Sequence, residues 1–176
     1  MRFHFNNSPL ILMPVLMALA ACEPSAISEG NNFQRKYSTA RKALEAGNYD
    51  TAINSYALLI PQSGPLEPRL RLEYAHALLR AGRYDEAAQV ADTLASTRKG
   101  SDRAAALAVS GAANHESALA EINAGTAGPK TVAKLRAADA ALKEMMALDG
   151  DLDPLGAMAS RRRDIKVELK QLGARG

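Results

Sequence analysis

A duplicated frame constrains this chain more than any other feature. Ala43-Leu-Glu-Ala-Gly-Asn-Tyr-Asp-Thr-Ala-Ile53 and Leu78-Leu-Arg-Ala-Gly-Arg-Tyr-Asp-Glu-Ala-Ala88 share Ala-Gly-x-Tyr-Asp-x-Ala, and aligning Gly47 with Gly82 gives a period of 82 − 47 = 35 residues. Helix-turn-helix solenoids repeat at about 34 residues. The frame also has a local meaning: the glycine accepts a left-handed conformation that ends one helix, the tyrosine plugs the elbow, and the aspartate caps the next helix. Two helices joined in this way cannot bury their apolar faces alone, so such units stack.

The residues that carry the frame resemble the tetratricopeptide repeat. In the first unit Gly47, Tyr49, Asp50, Ala52, Ile53 and Tyr56 stand where that family keeps its turn glycine, turn tyrosine, capping aspartate, close-packing alanine and the apolar residues that follow. Gly82, Tyr84, Asp85, Glu86 and Ala87 repeat the arrangement, with Ala75 in the first helix of the second unit. The sequence departs from the family in having no large aromatic at the start of a unit, no proline at its end, and Ala91 in place of an aromatic. Ala113-Asn-His-Glu-Ser-Ala118 is a degenerate third copy with alanine at the glycine position. The resemblance implies an all-α solenoid of antiparallel hairpins that binds proteins rather than catalysing a reaction.

Residues 1–21 read as an export signal. Arg2 supplies the positive end, Leu10–Ala20 an apolar run, and Leu19-Ala-Ala-Cys22 small residues before the chain's one cysteine. Eleven apolar residues make about 16 Å of helix, short of a bilayer core of about 30 Å. The tetrad resembles the lipobox of bacterial lipoproteins, which implies acylation of Cys22 and explains a lone thiol in an exported chain. Glu23, rather than the aspartate that commonly retains such proteins in the inner membrane, favours the periplasmic face of the outer membrane. Residues 22–32, with Pro24, Gly30 and paired asparagines, read as a flexible tether.

From Phe33 the spacing predicts helices. Phe33, Tyr37, Ala40 and Leu44 form one stripe; Ala52, Ile53, Tyr56, Ala57 and Ile60 form the next, ended by Pro61. Arg69–Ala81 and Asp85–Thr97 repeat the hairpin, giving repeats over 33–124. A helix capped by Asp102 follows, bent near Gly111–Asn114, and then a linker at Ala124–Pro129. A pair of helices over 130–172 continues or caps the array, with Val132, Leu135, Leu142 and Met145 or Met146 inward in the first. The second starts at Pro154 and turns Leu155, Met158, Ile165, Leu169 and Leu172 inward. About seven helices result. A composition 47% hydrophobic, with no Trp and three Phe, suits helices packed through small residues.

Chemistry is sparse. His76 and His115 lack a second ligand at helical spacing, so no metal site is expected. Asp149-Gly-Asp-Leu-Asp153 imitates the start of a calcium loop, but Pro154 and Ser160 occupy the positions of the turn glycine and bidentate glutamate, and an acidic turn capping the last helix is the better account. No nucleophile elbow, phosphate loop or carboxylate pair is recognisable, so neither an enzyme nor a cofactor is expected. Formal charge is +3, or 3 − 1 = +2 without Arg2, and both signs are spread along the chain, which argues against nucleic acid. Arg161-Arg-Arg163 with Lys166 and Lys170 gives the last helix a basic side, balanced by Asp164 and Glu168.

In tetratricopeptide repeats the first helices line a groove for a peptide or a partner's helix. Transferred here, that implies a groove of Gln34, Tyr37, Arg41 and Glu45 with Arg69, Leu72, His76 and Arg80, made basic by its arginines and suited to a carboxylate. Signal, lipobox and repeats together are similar to small repeat lipoproteins that assist tight-adherence and type IV pilus assembly. The favoured function is a membrane-anchored scaffold with protein partners; the alternative is an envelope protein binding a ligand or lipid between its last helices.

Overall fold

The computed structural model describes residues 24–173, with side chains from residue 32 onward; Cys22 and the signal segment lie outside them. The described residues form an all-α solenoid of seven helices: α1 (Pro24–Glu45), α2 (Tyr49–Leu59), α3 (Glu67–Arg80), α4 (Tyr84–Thr97), α5 (Gly100–Asn123), α6 (Pro129–Leu148) and α7 (Ala157–Gln171). Each helix packs on the next in sequence, and α3 also meets α5.

The two copies of the frame fold alike. Gly47 and Gly82 take φ of +79° and +77°. At the first elbow Gly47 N donates to Leu44 O at 3.2 Å and Asn48 N to Ala43 O at 2.9 Å. At the second, Gly82 N and Arg83 N donate to Leu79 O and Leu78 O at the same two distances. These crossed bonds satisfy carbonyls left free at a helix end and need a left-handed residue. Tyr49 and Tyr84 each open the following helix and are half-buried. Ala40 and Ala75, and Ala52 and Ala87, fully buried, occupy equivalent places 35 residues apart.

A third elbow of the same kind stands at Gly125, not in the segment Ala113–Ala118. Gly125 has φ +68°, Gly125 N donates to Ile122 O, and Thr126 N to Glu121 O. Residues 113–118 lie inside α5, which runs unbroken through Gly111. The third hairpin is therefore α5–α6, and the linker expected at 124–129 is its turn. Gly111 faces α6 so closely that an added Cβ would stand 2.6 Å from Leu142 Cγ and 3.3 Å from the Ala138 carbonyl oxygen.

Other expectations are corrected. Residues 24–32 are helical rather than a loose tether: α1 starts at Pro24, a residue tolerated in a first turn, and extending a packed helix adds one hydrogen bond per residue. Asp50, Asp85 and Asp102 do not cap. They lie in the first turns of α2, α4 and α5, whose N-caps are Asn48, Arg83 and Lys99, none with a side-chain cap bond. At the first two elbows the frame ends so tightly that the tyrosine, one residue before the aspartate, already is helical. The last helix begins at Ala157, not Pro154, and Leu155 is 93% exposed rather than inward. Asp153 caps that helix, accepting from Met158 N at 3.0 Å and Ala159 N at 2.9 Å. Those backbone bonds hold its carboxyl below the usual range.

The core falls into three clusters, linked by the half-buried Leu72, Leu79 and Val90 around a small one of Ala75, Ala91 and Val109. One cluster joins α1–α4 to Ala113 of α5; a second runs from Leu94 and Ala95 of α4 through Leu135, Leu142 and Met145 of α6 to Ile165 and Leu169 of α7.

Candidate functional site: the face of the first helices

The side built from α1, α3 and the start of α5 carries most of the residues expected in a groove, and its polar chemistry centres on Glu73. The Glu73 carboxylate accepts from Tyr37 OH at 2.7 Å, Tyr56 OH at 2.9 Å and Arg69 Nε at 3.1 Å. The Arg69 guanidinium also lies 5.9 Å from the centre of the Tyr37 ring. Burial first and Glu73 second push both tyrosine hydroxyls above their ordinary pKa, so they remain donors. The period of the frame places Leu72 at the position of Tyr37 and Ala91 at that of Tyr56, so the cluster, which ties α1 and α2 to α3 of the next unit, has no counterpart one repeat further on.

Two arginines of the expected basic groove are paired with acids within the fold, and the third is held by a tyrosine. Arg41 pairs with Glu45 at 3.2 Å on α1. Arg80 donates to Tyr49 OH from Nε at 3.1 Å and Nη2 at 2.9 Å and lies 5.6 Å from that ring's centre, tying the first elbow to the end of α3. Gln34 and His76 are exposed and Leu72 is half-buried. Glu45, His76 and Arg80 line a cleft of about 330 Å³ with Leu44 and Tyr49. Arg69 and Leu72 line a different one of about 370 Å³, whose other walls include Leu66, Leu94, Arg98 and Asp102. Three of the candidates thus line one cleft and two the other, while Gln34, Tyr37 and Arg41 line neither cleft. A third, of about 400 Å³, lies across α1 and α2, lined by Arg35, Lys36 and the 74%-exposed Leu58 among others.

Away from this face, side-chain bonds and ion pairs, most of them partly exposed, fasten the later helices. Lys134 Nζ on α6 reaches Asp85 Oδ1 at 2.8 Å, Glu121 Oε1 at 2.7 Å and Ser117 Oγ at 2.7 Å. Burial opposes the charge on Lys134, but the two carboxylates overcome it and raise its pKa. Lys134 and then Ser117 lower Asp85; Lys134 and then Thr131 lower Glu121. His115, 4% exposed, sits between Glu168 (Nε2 to Oε2, 2.8 Å) and Arg161 (Nη1 to Nδ1, 2.9 Å). Because Arg161 donates, Nδ1 must accept, so Nε2 carries the proton given to Glu168. Arg161 also pairs with Glu116, and Arg162 with Asp139 at 2.8 Å, so two arginines of the basic stretch pin α7 down. The partners of His115 lie 46 and 53 residues away, and no local pattern signals them.

Elbow, paired helices and a face of first helices define a protein of the helical-hairpin solenoid class. The tetratricopeptide repeat family model matches residues 43–109, from the end of α1 through the first two elbows into α5. That repeat is an interaction module, typically non-catalytic. No curated protein and no solved structure matches the chain.

Proposed function

We propose that this chain is a non-catalytic scaffold of the bacterial cell envelope, anchored by a lipid on Cys22 at the periplasmic face of the outer membrane. There it helps assemble a pilus, secretion or other envelope complex by binding a protein partner. The observation that carries the protein-binding part is the pair of superposable elbows inside the segment that matches the repeat family. Support for the anchor is Leu19-Ala-Ala-Cys22 behind an apolar run, with no other cysteine. Among the described residues no helix is long and apolar enough to cross a membrane. Because α1 begins at Pro24, a lipid on Cys22 would hold the array through a helix; the stretch from Pro24 to Asn32 rises only about 12 Å.

The test is recovery of partners from detergent-solubilised membranes, with Cys22→Ala as the unanchored control and mass spectrometry of the mature N-terminus. An acylated Cys22 and a discrete protein partner, lost or reduced with Cys22→Ala, are expected. An unmodified thiol refutes the anchor, and recovery of no protein refutes the scaffold.

A further inference from the structure

The cleft at the start of α3 contains a cation that the fold leaves unneutralised. Arg98 follows α4 in extended conformation, with φ −112° and ψ 166°. It lines the cleft with Leu66, Leu72 and Leu94, beside the exposed Arg69 and Asp102. Arg98 Nε is sealed from solvent without any hydrogen-bond acceptor. No ion pair among the described residues includes Arg98, whereas Arg41, Arg69 and Arg80 on the same side are engaged by Glu45, Glu73 and Tyr49. Five residues further on, Arg103 is held by Glu144 and the Ala95 carbonyl.

Arg98 is half-buried and lines the cleft, so what the cleft presents of it is a cation without an acidic partner, and leucine walls strengthen any charged bond formed beside them. The group that matches a guanidinium in shape and charge is a carboxylate. Asp102 limits the choice further, since a doubly charged phosphate would stand against it more than a single carboxylate. The leucines call for an apolar side chain next to the acid; Leu66 at this cleft is 43% exposed.

We infer that this cleft takes an extended segment of the protein partner that presents one side-chain carboxylate beside an apolar side chain, with Arg98 as the carboxylate's partner. The inference rests on the protein-binding scaffold described above and adds where the partner docks and with what chemistry.

The test uses the full chain and a fluorescent octapeptide, acetylated and C-amidated, with one glutamate between two leucines in an alanine–serine background. The same peptide with glutamine is the comparison. The glutamate peptide should bind about tenfold more tightly and shift the side-chain N–H resonance of Arg98. Arg98→Met, which removes the orphaned donor while keeping an unbranched apolar stem, should melt no lower than the parent and abolish the preference. Arg80→Met, in the neighbouring cleft, should leave it intact. Equal affinity for the two peptides, no binding, or an unchanged preference in Arg98→Met overturns the inference. If neither peptide binds while the anchored chain still recovers a partner, the cleft is refuted and the scaffold stands. If the peptide binds at Arg98 but membranes yield no partner, the scaffold is refuted and the cleft's chemistry stands.

Discussion

Asp50 and Asp85 occupy one position of a duplicated frame and meet different surroundings. Asp50 is exposed in the first turn of α2, whereas Asp85 accepts bonds from Ser117 of α5 and Lys134 of α6. Asp50→Asn should change stability by no more than about 0.5 kcal/mol. Asp85→Asn should cost about 1 kcal/mol, a value held down by the exposure of the Asp85 side chain. Urea denaturation of the two variants checks the difference. Both aspartates were legible in the sequence as repeat positions. Their unequal roles were not, because Lys134 lies 49 residues beyond Asp85 and belongs to no pattern with it.

The same network, with Asp153 at the start of α7, gives a pH dependence. Asp85, Glu121 and Asp153 have lowered folded-state values. Their contribution is therefore complete above their unfolded values, near 3.8 for aspartate and 4.5 for glutamate, and is lost as pH falls through the folded values. Lys134 is raised, so its contribution is complete below 10.5 and lost as pH climbs through its folded value. Thermal melts should be nearly flat in neutral buffer and fall in acid below the range of ordinary carboxylates. Asp85→Asn should flatten part of that acid limb; an unchanged limb would show that the bonds to Lys134 and Ser117 are not formed in solution.

Among the elements, the hairpins were the most readable because each elbow needs a glycine where the helix turns left-handed. The dipeptide Ala-Gly marks all three, at Ala46-Gly47, Ala81-Gly82 and Ala124-Gly125. The third was missed because it comes 125 − 82 = 43 residues after the second, set back by the 24-residue α5. Helical periodicity does not distinguish one long helix from two short ones. It also did not show why Gly111 lies in mid-helix, since the cause is the close approach of Leu142 on another element. Gly111→Ala should destabilise by about 1–2 kcal/mol, overpacking exceeding the gain in helix propensity. Calorimetry would read this as a lower melting temperature. A variant melting at or above the parent would mean that α5 and α6 sit further apart. The arginine stretch on α7 looked like a solvated basic face; Arg161 and Arg162 fasten it to α5 and α6 instead.

For the whole molecule, the repeat frame gave the architecture and the candidate face, while the pairing of charges on that face had to come from packing. The three arginines expected to make it basic are occupied, and Arg98, without an ion pair among the described residues, lies in the short connection after α4 with no motif to mark it. Burial crosses from the repeat-matched segment into α6 and α7 through Leu94, Ala95 and α5. The array should therefore unfold in one transition, with slow hydrogen exchange in α3 to α6 alike.

The face of the first helices as the place where a partner binds is tested most directly by site-specific photocrosslinking in intact cells. A photoreactive amino acid at position 72, on α3, is compared with one at position 89, exposed on α4. The account predicts a discrete protein adduct from position 72 and none from position 89. No adduct at position 72, or equal adducts from both positions, would contradict it.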